Sequence, residues 1–248
     1  MSAKHSVTAG INLEEVLKYA DQGDPDAMLA AVGYLAAEGY IGEDAAPEIN
    51  ERYLGYLNKL TALGNSACFI YLGNIYVTGE IVARDTDKAI DLYEQAVAHG
   101  EPYGNECIGQ LYFEGEVVPR DYAKAFEYFT KDKKKKSFIT DYYLGEMYRL
   151  GLHVSQDQSE VCRHYAIIAR SKNKHPEVDD YYWRAAYRLG CALHRGMGIK
   201  KDLKEALRLI EIARDEGYTE HEIIEGEGIT EDAMFVEWSD LCRELGKF

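Results

Sequence analysis

No apolar run in this 248-residue sequence approaches the length of about 18 residues that a membrane-spanning helix needs. The mean hydropathy is −0.37, that of an ordinary water-facing chain. No CxxC pair occurs, although zinc modules are usually built on such close pairs. The five cysteines (Cys68, Cys107, Cys162, Cys191 and Cys242) are an odd number and fall at irregular positions, so buried free thiols are expected rather than a disulfide framework. Basic charge is also short: 28 Lys/Arg against 43 Asp/Glu leave a net −15. Phosphate backbones and anionic membranes need a basic face, so nucleic-acid and membrane-surface binding are excluded as expectations.

Catalytic signatures are missing as well. The sequence has neither a glycine-rich phosphate loop nor a nucleophile elbow, and HEIIE at 221–225 lacks the second histidine of a zinc-protease helix. His153, His164 and His175 are evenly spaced, but Pro176 interrupts any continuous helix there. No catalytic residue, metal or cofactor is expected. The N-terminal MSAKHSVTAGINLEEV has no apolar h-region or small-residue cleavage site, which points to a cytoplasmic protein.

What is present is a period. YLGNIYVTG at 71–79, CIGQLYFEG at 107–115 and YLGEMYRLG at 143–151 place Gly73, Gly109 and Gly145 at intervals of 36, with Tyr76, Tyr112 and Tyr148 in the same register. A period in the thirties means stacked two-helix units that hold partners on an extended surface. In the unit at 65–100, Ala67, Tyr71, Leu72 and Ile75 mark a first helix stopped by Gly79. Asp85 stands at the N-cap of a second helix carrying Ala89, Leu92, Tyr93 and Ala96. Asp121, Asp157 and Asp202 repeat that cap position.

The period breaks twice. Gly33 to Gly73 is 40 residues, four more than the period, with the extra residues near Glu43 and Pro47; Gly145 to Gly190 is 45, with nine inserted around SKNKHPEV at 171–178. At the ends, Asn12 and Glu15 read as a capping box, and Met234, Trp238, Leu241 and Leu245 form the apolar stripe of a last helix. The abundant tyrosines, such as Tyr76, Tyr93, Tyr112 and Tyr148, read as core residues with satisfied hydroxyls.

Taken together, these positions resemble the Sel1-like repeat family, relatives of the tetratricopeptide repeats. The unit from Ala67 matches that pattern at Leu72, Gly73, Tyr76, Gly79, Val82, Asp85, Lys88, Ala89, Tyr93, Ala96 and Gly100. The next matches at Gly109, Tyr112, Gly115, Val118, Asp121, Lys124, Ala125 and Phe129. The second glycine of the family's G-x-G survives only as Gly198; Ile81, Val117 and His153 replace it, so those loops are expected to differ in shape. The resemblance implies an all-α fold, a right-handed α/α solenoid of about five helix-turn-helix repeats. The boundaries are an N-terminal capping helix in 1–22, repeats over 23–218, and a C-terminal capping segment and helix in 219–248.

In such arrays the first helices line the concave face. Helix phase then selects a candidate protein-binding strip: Ile70, Asn74, Val77, Glu106, Gln110, Phe113, Glu114, Tyr142, Glu146, Arg149, Tyr187, His194 and Arg195. Phe, Tyr and Arg there are the types enriched at interface hot spots. Charge adds polarity along the chain. Residues 1–130 hold 8 Lys/Arg and 21 Asp/Glu, a net −13; residues 131–218 hold 18 and 13, a net +5; and 219–248 hold 2 and 9, a net −7. The run KDKKKK at 131–136 closes a second helix, where lysines complement the helix C-terminus or face an acidic partner.

The expected function is a non-catalytic scaffold or adaptor with a protein partner, monomeric or dimerising through the stripe of the last helix. A narrower alternative is a bacterial immunity protein that neutralises a basic toxin or effector.

Overall fold

Each apolar run that stops at a glycine, and each loop that ends in Asp, Asn or Ser, becomes a helix boundary in the computed structural model, which describes residues 12–131, 137–170, 179–217 and 231–247. The lysine run beyond Lys131, the inserted loop at 171–178, the HEIIE segment and residues 219–230 of the C-terminal segment lie outside these described residues. Among the described residues there are twelve α-helices and no strand, an α-solenoid of helix pairs. The chain divides into two compact units, 1–121 and 122–248, and the division falls between the two helices of one repeat.

The first unit holds α1 (Leu13–Asp21), α2 (Pro25–Ala37), α3 (Pro47–Ala62), α4 (Ser66–Thr78), α5 (Thr86–Ala98) and α6 (Tyr103–Glu114). Consecutive helices pack on one another, so α4 lies against both α3 and α5. Tyr53, Leu57, Leu60, Leu72, Ile75, Leu92 and Tyr93 are buried between them, each contributing about 1.5–3 kcal/mol of transfer free energy. Ala89 and Ala96, fully buried, let the helices approach. Gly73 goes further: a Cβ there would sit 2.5 Å from Cε1 of the Tyr93 ring. The first helix is tied down by Asp21, which accepts from Tyr56 Oη at 2.5 Å and pairs with Arg52 at 2.9 Å.

The second unit holds α7 (Tyr122–Lys131), α8 (Phe138–Leu150), α9 (Gln158–Ala169), α10 (Asp179–Arg195), α11 (Leu203–Gly217) and α12 (Glu231–Glu244). Its core runs through Tyr165, Ile168, Leu189, Leu193, Leu209 and Ile210. Leu241 and Cys242 of α12 are buried in the same core, Trp238 and Leu245 pack against it, and the Arg214 guanidinium lies 4.7 Å from the Trp238 ring centre. The apolar stripe expected to offer a dimer surface is therefore turned inward at these positions. Covering the last helix pair removes more apolar area from water than an exposed stripe would.

Caps explain the register. Asp85 accepts from the Lys88 N–H at 3.0 Å, Asp157 from Ser159 and Glu160 at 2.8 and 3.2 Å, and Asp202 from Lys204 and Glu205 at 3.1 Å. The first helices are capped too, by Asp24, Asn65 and Ser137. Asn12 occupies an N-cap position without a side-chain bond, so the expected capping box does not form. Asn12, Glu14 and Glu15 at that end are exposed.

Loop shape is set where the first helices end. Gly79, Gly115 and Gly151 take left-handed φ of 77°, 69° and 72°. Two residues further on, Gly198 takes φ 69° and His153 takes φ 65°, whereas Ile81 and Val117 have no positive φ. The expected divergence thus holds for Ile81 and Val117 but not for His153, which keeps the glycine conformation at a cost of about 1–2 kcal/mol. Its ring lies 5.6 Å from Phe126, a contact a glycine would lack.

Candidate protein-binding surface

Helix phase sorts the thirteen strip residues by their distance from the Leu-Gly step. Those two positions before it are all core: Ile70, Glu106, Tyr142 and Tyr187 are 6%, 5%, 3% and 8% exposed. This corrects the sequence expectation. A first helix such as α4 or α10 is flanked by second helices on both sides, so its buried arc is wider than that of a helix with one neighbour. Tyr142 shows what the position does, with its ring 4.8 Å from that of Tyr181 and 6.2 Å from that of Tyr165.

Glu146 and His194 are also buried, for an electrostatic reason. Glu146 on α8 receives Arg149 Nε at 3.1 Å and Nη2 at 2.5 Å, accepts from the Tyr165 hydroxyl, and has Arg188 Nε at 3.4 Å. Burial alone would push its carboxyl up, but the two guanidiniums outweigh that and hold it below the usual range. Burial, followed by the facing Glu146 charge, pushes the Tyr165 hydroxyl well up. His194 on α10 directs Nδ1 to Glu237 at 2.7 Å and Nε2 to Glu244 at 2.8 Å, both on α12. Arg195 joins Glu237 at 2.5 Å and Lys201 joins Glu244 at 3.1 Å. These residues fasten helices to one another.

A third buried cluster was not anticipated. His164 Nδ1 lies 2.7 Å from Asp141, both almost fully buried, and Arg163 Nη2 lies 2.8 Å from His164 Nε2. Arginine can only donate, so Nε2 accepts and Nδ1 carries the proton given to Asp141. The local signal was an Asp and a His at apolar repeat positions. Burial pushes the Cys68 thiol up to about 11 and those of Cys107 and Cys191 to about 12, which makes them poor nucleophiles at neutral pH. All five cysteines are free. Among the described residues no group of three or more His, Cys, Asp or Glu is placed to hold a metal, and no helix is long and apolar enough to cross a membrane.

Of the remaining seven strip residues, three are exposed and four half-buried. Asn74 is exposed and its Oδ1 accepts from Tyr93 Oη at 2.7 Å. Val77, Gln110, Phe113 and Arg149 are half-buried, and Glu114 and Arg195 are exposed. Five residues after the glycine, every first helix of the regular repeats presents an exposed side chain: Thr78, Glu114, Leu150 and Arg195. Thr78 and Leu150 were missed by sequence reasoning, as was Tyr71, which is 41% exposed. Tyrosines in this register are otherwise buried, so only the packing distinguishes Tyr71 from Tyr143.

The Sel1 repeat model matches residues 70–101, 108–131, 141–173 and 183–218, together half of the chain. Among solved structures, a Sel1 repeat protein from Oxalobacter formigenes superposes with a TM-score of 0.68 at 25% identity, over 84% of this chain and 56% of that one. The c5321 protein, a protective antigen present in uropathogenic Escherichia coli strains and displaying an SLR fold, superposes with a TM-score of 0.57 at 22% identity, over 96% of this chain and 57% of that one. The chain thus spans little more than half the length of these two structures. No curated protein matches the sequence.

Proposed function

Because the chain belongs to the Sel1 repeat family, whose repeats generally mediate protein–protein interaction, we propose that it is a non-catalytic scaffold holding a partner protein on the open faces of its first helices. The observation that carries this reading is the contrast between two registers of the same helices. Two positions before the Leu-Gly step everything is core, whereas five positions after the glycine everything is exposed and no two residues are alike: Thr78, Glu114, Leu150 and Arg195. Within each unit, a register that keeps its exposure while changing its chemistry from one repeat to the next suits recognition of a specific partner. The buried groups Glu146, His164 and His194 support the same reading, since each is engaged in pairs that join helices.

The test uses Tyr71→Ala and Leu150→Ala, which remove apolar contact area at sites 41% and 46% exposed. With the partner recovered by affinity purification from the native cell, calorimetry should show binding about tenfold weaker for each variant. Thermal unfolding should be unchanged. Full affinity in both variants would sink the assignment.

A further inference from the structure

The four residues that break the period in the first unit sit in the connection between α2 and α3, and they build a concavity. Asn50 of α3 holds that connection folded, donating from Nδ2 to the Gly42 carbonyl at 2.8 Å and accepting the Gly42 N–H on Oδ1 at 3.2 Å. The result is an open cavity of about 710 Å³. Ile41, Ala45, Ala46 and Ile49 form its apolar part. Glu43 and Asp44, together with Glu80 from the connection between α4 and α5, also line it. No cation lines the cavity, and among the described residues none of these three carboxylates enters an ion pair.

The helix leading into the cavity has an unpartnered apolar face. From Ala27 to Ala37 α2 carries no charged side chain, so apolar residues surround its axis and one side must face water. Leu29, Ala30, Gly33 and Ala37 are exposed on that side. A Cβ on Gly33 would meet nothing within 4 Å, so another backbone can come close. Face and cavity are continuous. Tyr34 of α2 stacks on Tyr40 of the cavity wall at 6.1 Å with planes 9° apart, and Tyr40 is 49% exposed.

We propose that this surface receives a basic amphipathic helix of the partner, its apolar stripe on α2 and a Lys or Arg extending over Tyr40 to Glu43, Asp44 and Glu80. Charge complementarity selects that occupant. The first unit is strongly acidic, with 7 Lys/Arg and 20 Asp/Glu in residues 1–121, and the open carboxylates lie where the apolar face ends. The long stem of Lys or Arg packs on Ile41 and Ile49 while its head meets the carboxylates and the tyrosine face. This rests on the reading that first-helix faces bind protein, and it adds the partner's chemistry at one of them.

The probe is a synthetic helical peptide of about 14 residues, matched to the ~20 Å length of α2, with leucines at i, i+3, i+4 and i+7 and lysines flanking them. Fluorescence anisotropy with the full chain should show saturable binding that weakens with added salt. The same peptide with glutamates in place of lysines should not bind. E43Q/D44N/E80Q should weaken binding about tenfold, three partly exposed charge contacts being lost, with no change in unfolding temperature. Gly33→Gln, which fills open space, should weaken it too. Equal binding of the acidic peptide, or undiminished binding by the triple variant, would overturn the proposal. So would a dimer in light scattering that Gly33→Gln dissolves, because a second copy would then be the occupant. A triple variant that keeps full affinity for the native partner, while Tyr71→Ala loses it, would refute this site and leave the broader reading intact.

Discussion

Gly33 and Gly73 occupy the same repeat position, yet replacing each with alanine should change stability in opposite directions. At Gly73 a new Cβ would lie 2.5 and 2.9 Å from Cε1 and Cδ1 of Tyr93, and at Gly145 it would lie 2.6 Å from Cε1 of Tyr165. Carbon atoms in contact prefer about 3.5–4 Å, so each ring must retreat by roughly 1 Å. Neither ring is free to do so. Tyr93 is 2% exposed with its hydroxyl on Asn74, and Tyr165 is fully buried with its hydroxyl on Glu146. Overpacking of this kind costs about 1–3 kcal/mol, and removing glycine from a helix interior returns about 0.5–1 kcal/mol. Gly73→Ala and Gly145→Ala should therefore destabilise by about 1–2 kcal/mol. Gly33 is exposed and meets nothing within 4 Å, so Gly33→Ala should stabilise by about 0.5–1 kcal/mol. Urea denaturation followed by circular dichroism at unchanged m-value measures all three. If the three variants shift in the same direction, close approach does not explain these glycines.

The clasp on α12 should respond to pH. Burial lowers the His194 pKa, but Glu237 and Glu244 outweigh that and raise it above the ordinary value. Its contribution is therefore complete below the unfolded value of about 6.5 and is lost as pH rises through the folded value, with Arg195 and Lys201 still holding the two glutamates. Amide exchange in α12 should accelerate on that alkaline side in the wild type and lose this pH step in His194→Gln; an unchanged step would show that another group titrates. Among the caps, Asp157→Ala and Asp85→Ala should each cost about 1 kcal/mol in urea titrations, whereas Asn12→Ala should be neutral because its side chain makes no cap bond. A comparable loss at Asn12 would show that capping does not account for these costs.

The repeat was legible in the sequence because its signals are local. A glycine that must take positive φ, as at Gly79, and an aspartate that caps the next helix, as at Asp85, act within a few residues of their own position. Exposure was legible on the same grounds at three of the thirteen strip residues, since helix phase alone places Asn74, Glu114 and Arg195 on an open side. Ile70, Glu106, Tyr142 and Tyr187 share that phase argument and are nevertheless buried. Phase states which residues share a side of one helix, and it carries no information about how many neighbours that helix has.

The period and its breaks, the helix ends and the family were thus determined by sequence. Only the tertiary structure decided that Tyr71 faces water while Tyr143 does not, that Glu146 and His194 serve as clasps, and that four extra residues open a cavity beside the apolar face of α2. The physical reason is range: capping and backbone conformation are settled within one turn, whereas burial and charge pairing join residues such as His194 and Glu244, 50 positions apart.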